Sequence, residues 1–136
     1  MIKGGKNADP RGNARNAEMD DDLLQRIHAA VQPGDEILTL TTKRPNVIAA
    51  IGQDGIWVET LRSDQRRSGP QLVPAWMIAT AWRHLQRRGT LTHAELLDDF
   101  NVKRSAFVIA LLAQFTDVVV PSTRPIVIEL IAGAQS

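Results

Sequence analysis

The chain contains no cysteine. That excludes a disulfide framework and thiolate chemistry, and it suits a reducing interior. No stretch approaches the roughly 20 apolar residues of a membrane-spanning helix, and the first residues lack the apolar core of a secretion signal, so the expected compartment is the cytoplasm. An excess of one charge sign is also missing, because 16 Lys and Arg face 15 Asp and Glu for a formal net charge of +1. Attraction to a polyanion must therefore come from local clustering. Internal repeats are absent, and compositional bias is confined to the N-terminal tail.

What is present supports a modest core, with 43% hydrophobic residues in a chain of 136. Residues 1–19 combine repeated Gly and Asn with Lys3, Lys6, Arg11 and Arg15 and almost no apolar side chains, so they read as a flexible basic tail. From Asp20-Asp21-Asp22 onward, acids suit a helix N-terminus, and Leu23, Leu24, Ile27 and Val31 share one face. Pro33-Gly34 stops that helix. Three β-prone runs follow, Glu36 to Thr42, Asn46 to Ile51 and Gly55 to Thr60, with Asp54-Gly55 marking a tight hairpin between the last two. Residues 20–68 thus form a helix and a three-stranded antiparallel meander.

Residues 69–136 have a different pattern. Pro74 suits a first helical position, Ile78, Ala81, Trp82 and Leu85 recur on one face, and Gly89 supplies a left-handed stop, giving a helix over roughly 74–88. Thr92-His93-Ala94-Glu95 has the capping-box form, with Leu91 and Leu96 placed as a hydrophobic staple. A second helix over about 93–100 then turns Leu96, Leu97 and Phe100 inward. Asn101 takes the turn and Val102 plugs the corner. Ser105 to Phe115 resumes helical spacing through Val108, Leu111, Leu112 and Phe115. Val118 to Val120 and Ile126 to Ile131 flank a proline-bounded loop, Pro121 to Pro125, as a β-hairpin.

The run Leu91-Thr92-His93-Ala94-Glu95-Leu96-Leu97, then Val102-Lys103-Arg104-Ser105, then Leu111-Leu112 resembles a winged helix-turn-helix domain over residues 74–131. The resemblance implies a third helix that enters the major groove and a hairpin wing that touches DNA backbone or minor groove. It places Lys103, Arg104 and Ser105 against DNA and Arg124 at the wing tip. The rest of the third helix departs from this pattern. Its second face carries Ala106, Ile109, Ala110 and Ala113 beside Phe107, and only Gln114 offers a base-reading group. A helix apolar all round needs a cover, which is either the N-terminal half or another chain. The expected whole is α+β: an N-terminal helix and meander packed on a winged helix-turn-helix.

Between positions 43 and 104 ten cations meet six acids, a local excess of four. Lys43 and Arg44 mark a turn; Arg62, Arg66 and Arg67 mark a loop. Arg87 and Arg88 have a structural reason to exist, since cations stabilise a helix C-terminus. Lys103 and Arg104 do the opposite, opposing the helix dipole at about 0.3–1 kcal/mol each unless an anion such as phosphate lies nearby.

Candidate catalytic groups are few. His28, His84 and His93 lie on or beside separate helices, His84 and His93 read as surface or capping-turn residues, and a zinc site would have to join two of the three with an acid such as Asp98. Asp98 and Asp99 point about 100° apart on a helix, not as a catalytic pair. Ser105 and Ser122 lack a nucleophile elbow, and Gly52-Gln53-Asp54-Gly55 is a turn without the features of a phosphate-binding loop. Trp57 and Trp82 are expected in the core, with Trp76 unassigned. The resulting expectation is a non-catalytic, cofactor-free and metal-free DNA-binding protein, a regulator or targeting module. Its phosphate contacts come from Lys103, Arg104, Ser105, Arg124, the Arg62, Arg66 and Arg67 loop, and the Lys43 and Arg44 turn. An alternative reading is a winged-helix scaffold for protein interaction or dimerisation without DNA.

Overall fold

The computed structural model describes residues 19–60 and 69–131. Asp20 caps the first helix, α1 (Asp21–Ala30), by accepting the Leu23 N–H at 2.8 Å. Leu23 and Ile27 are buried from its inward face, and Val31 closes it. The Met19 N–H donates to the Gln53 carbonyl at 2.9 Å, tying the start of α1 to the meander.

The meander is an antiparallel sheet in the order β1 (Glu36–Leu38), β2 (Pro45–Gly52), β3 (Gly55–Thr60) and β4 (Gln71–Pro74). It has four strands, not the three expected. β4 is four residues long between Pro70 and Pro74, too short to show a two-residue period. β1 ends at Leu38, well before Thr42, because the chain turns at 40–42 and Lys43 takes a left-handed φ of 58°. The hairpin loop is Gln53-Asp54, with Gly52 paired to Gly55. Gly55 is required there: at φ 140° its added Cβ would meet the Val73 carbonyl oxygen.

Pro74 is the residue before α2 (Ala75–Arg88), and Gly89 ends that helix at φ 79°. A short strand that periodicity did not reveal, β5 (Thr90–Thr92), follows. The capping box forms as expected. Thr92 Oγ1 accepts the Glu95 N–H at 3.0 Å, and Glu95 Oε1 accepts the Thr92 N–H at 2.9 Å. Leu91 and Leu96 are both fully buried. The helix it starts soon widens into a π-helical turn (Glu95–Asp99), with the Phe100 N–H donating to the Glu95 carbonyl at 3.2 Å. Leu97 is therefore not inward but 48% exposed, since in so short a segment the core side is filled by Leu96.

Asn101 adopts a φ of 54°, Val102 is buried, and α3 (Ser105–Leu112) begins. Phe107 to Leu112 are all buried. The N-terminal half supplies the cover, because α3 packs against β1 as well as α2. β6 (Val118–Thr123) and β7 (Ile126–Leu130) form the expected hairpin, although β6 runs through Pro121 across a bulge and the loop shrinks to Arg124-Pro125. β7 also pairs with β5, so the second sheet has the order β5-β7-β6. Arg26 of α1 clips the two halves together: its Nη1 lies 2.9 Å from Asp117 Oδ2, and its guanidinium sits 4.7 Å from the Trp82 ring centre. The molecule is α+β, with two antiparallel sheets around helices that share one core.

Candidate functional site

The surface around the start of α3 is built by two turns. In the first, between β1 and β2, Thr39 is the organiser. Its Oγ1 accepts the Arg44 N–H at 2.9 Å, its N–H donates to the Arg44 carbonyl at 3.0 Å, and its carbonyl accepts the Lys43 N–H at 3.0 Å. Buried Asn46 donates a hydrogen bond from its side-chain Nδ2 to the same Arg44 carbonyl at 3.2 Å. This network fixes the backbone of Arg44 while Lys43 is left exposed.

The second turn is 100–104. Left-handed Asn101 and buried Val102 bring Lys103 and Arg104 to the surface immediately before α3. Arg104 is the residue preceding the helix, and its guanidinium donates to Gln71 Oε1 at 3.1 Å. Burial pulls the pKa of this guanidinium below its ordinary value by desolvation. Among the described residues, no carboxylate forms an ion pair with it.

Arg44, Lys103 and Arg104 line one recess of about 590 Å³, together with Asn46, His93 and Ser105. None of the described residues lining it is Asp or Glu. A second recess of about 500 Å³ adjoins it through Thr39, His93 and Ala106, and Arg124 lines that one beside Asp98. Thr41 Oγ1 donates to the Thr123 carbonyl at 2.6 Å, holding the β1–β2 turn against the β6–β7 hairpin. Arg44, Lys103 and Arg104 on one side and Arg124 on the other therefore line two adjoining recesses.

The remaining expected site residues fare differently. Lys43 lines neither recess. Ser105 is 4% exposed and does not point outward; its Oγ lies 2.8 Å from His93 Nε2. Arg62, Arg66 and Arg67 lie outside the described residues, as does the basic tail up to residue 18. Thr39, Asn46 and His93 are site residues that the sequence pattern did not single out. A threonine-rich run around a basic pair, Thr39 to Asn46, is the signal that marks the first two, since Thr and Asn side chains bond nearby backbone in turns.

Three further expectations are corrected or met. His84 is buried, not superficial; its Nε2 faces Glu95 Oε1 at 3.4 Å outside hydrogen-bond geometry, and its ring meets Phe100 edge-on. Trp57 is not core but 38% exposed on the outer side of β3. Trp82 is core, as expected, packed edge-on against Phe115. The body of α3 is enclosed on both faces, so the insertion of this helix into a groove, which the family resemblance implies, would require the halves to separate.

Among the described residues no cluster of three or more His, Cys, Asp or Glu is placed to hold a metal ion, and no helix is long and apolar enough to cross a membrane. Comparison with protein-family models, curated proteins and solved structures gives no match.

Proposed function

We propose that this protein is a non-catalytic DNA-binding module, acting as a regulator or targeting part, that grips phosphates with the surface at the start of α3. The observation that carries this reading is the convergence of Arg44, Lys103 and Arg104 on one recess with no Asp or Glu among its described lining residues. Three like charges brought together repel one another, and a phosphate relieves that repulsion. Arg124 extends the surface toward the hairpin. The winged-helix reading of residues 74–131 is supported by the pairing of β5 with β7 beside the hairpin.

Enclosure of Ile109 and Ala110 restricts recognition to phosphate contacts, because base edges are read by polar side chains projecting from an inserted element. Weak sequence preference follows. For the alternative, a scaffold for protein interaction or dimerisation, the apolar face of α3 is occupied by the N-terminal half, which leaves a sheet edge as its docking surface.

Fluorescence anisotropy with a short labelled DNA at low salt tests the proposal. Lys103→Ala is expected to weaken binding about fivefold, the worth of a charge pair near 1 kcal/mol. Arg88→Ala, at a position that lines neither recess, is expected to leave it unchanged. Absence of binding at low salt contradicts the proposal.

A further inference from the structure

The shape of the recess says more than its charge. A flat or ridged cationic face suits the repeating phosphates of a duplex, each carrying one negative charge. Here the cations stand around a hollow of about 590 Å³, in the size range of pockets that enclose a small molecule. Such a hollow has room for roughly one nucleotide and not for a length of double helix. Its walls also differ from a purely electrostatic surface. Asn46 and His93 bring polar side chains, and Phe107 and Pro45 bring apolar surface.

We infer that the recess is a pocket for the terminal phosphomonoester of a nucleic-acid strand, with Arg44, Lys103 and Arg104 around the phosphate and the adjoining recess past Arg124 taking the strand. This rests on the nucleic-acid reading above and specifies the part of the polymer that the site holds.

A terminal monoester has a second ionisation near pH 6 and carries close to two negative charges at neutral pH, whereas an internal diester carries one. Three cations with no acid among their described neighbours match the greater charge. Desolvation of the Arg104 guanidinium fits the same picture, since a partly buried cation without a carboxylate gains most from an anion of high charge. The His93 to Ser105 hydrogen bond fixes the His93 ring on the wall of the recess beside the start of α3. The connection through Thr39, His93 and Ala106 to the recess at Arg124 gives the remainder of the strand a way out.

The experiment compares one labelled single-stranded oligonucleotide in three forms, bearing a 5′-phosphate, a 3′-phosphate or neither, with a nucleoside monophosphate as competitor, at fixed salt on the full chain. At least one phosphorylated end is expected to bind about tenfold or more tightly than the unphosphorylated strand, the worth of an added charge-assisted hydrogen bond. Arg104→Gln is expected to erase most of that preference, with a smaller loss for the unphosphorylated strand, which also contacts this surface. Circular dichroism checks that this variant folds, and Lys103→Gln provides a second variant at an exposed position. Equal affinity for all three forms overturns the end-binding inference but leaves the phosphate-backbone reading standing. No binding of any form overturns both. A nucleoside monophosphate that competes as well as the strand itself overturns the inference in favour of a free-nucleotide pocket.

Discussion

Single residues carry much of this architecture through backbone constraints. At Gly55 a side chain would be driven against the Val73 carbonyl oxygen, at a φ of 140° that only glycine tolerates well. Gly55→Ala is expected to destabilise the protein by at least about 2 kcal/mol in urea titration, because a clash and an unfavourable dihedral add. Thr92→Ala should cost about 1 kcal/mol, and combining it with Glu95→Ala should cost less than the sum, because each side chain satisfies the other's backbone. Strict additivity in that cycle would contradict the reciprocal cap. Residues of this kind are the most legible in the sequence: Thr92, Glu95, Gly89 and Asn101 act on neighbours within a few positions, so their roles are local chemistry. His84 and Trp57 are misread from sequence because burial depends on which element arrives from elsewhere in the chain.

At the scale of elements, the π-helical turn decides which leucine is core. Leu96→Ala is expected to cost about 2–5 kcal/mol, against a change within about 0.5 kcal/mol for Leu97→Lys, measured by thermal or urea unfolding. Comparable losses at both positions would mean an ordinary helical turn with both leucines packed. The helices α1, α2 and α3 are clear in the sequence because each repeats an apolar residue every three or four positions. β4 and β5 leave no such trace: Gln71 to Pro74 and Thr90 to Thr92 become strands only by pairing with β3 and β7. The candidate recess is legible in part for the same reason. Lys103 and Arg104 announce themselves at a helix start, but their meeting with Arg44 depends on α3 packing against β1.

Across the whole molecule, the N-terminal helix and meander and the C-terminal segment share one core, with Arg26, Asp117 and Trp82 as the clip between them. Tryptophan fluorescence and far-ultraviolet circular dichroism are therefore expected to report a single coincident unfolding transition. Asp117→Ala is expected to lower stability by about 1.5–3 kcal/mol while keeping the transition single, since it removes a charge-assisted bond without removing the shared core. Two separated transitions would show that the halves fold independently and that α3 is not obligatorily covered. The candidate surface depends on this unity, because Arg44 comes from one half and Lys103, Arg104 and Arg124 from the other. The most direct measurement is the dependence of DNA affinity on salt for the native chain and for the combined variant Arg44→Ala, Lys103→Ala, Arg104→Ala. The magnitude of the slope of log affinity against log salt is expected to fall by at least about one, because the three cations gather around a shared phosphate that the variant no longer neutralises. An unchanged slope in a folded variant would place DNA binding elsewhere on the molecule and contradict the assignment of this surface.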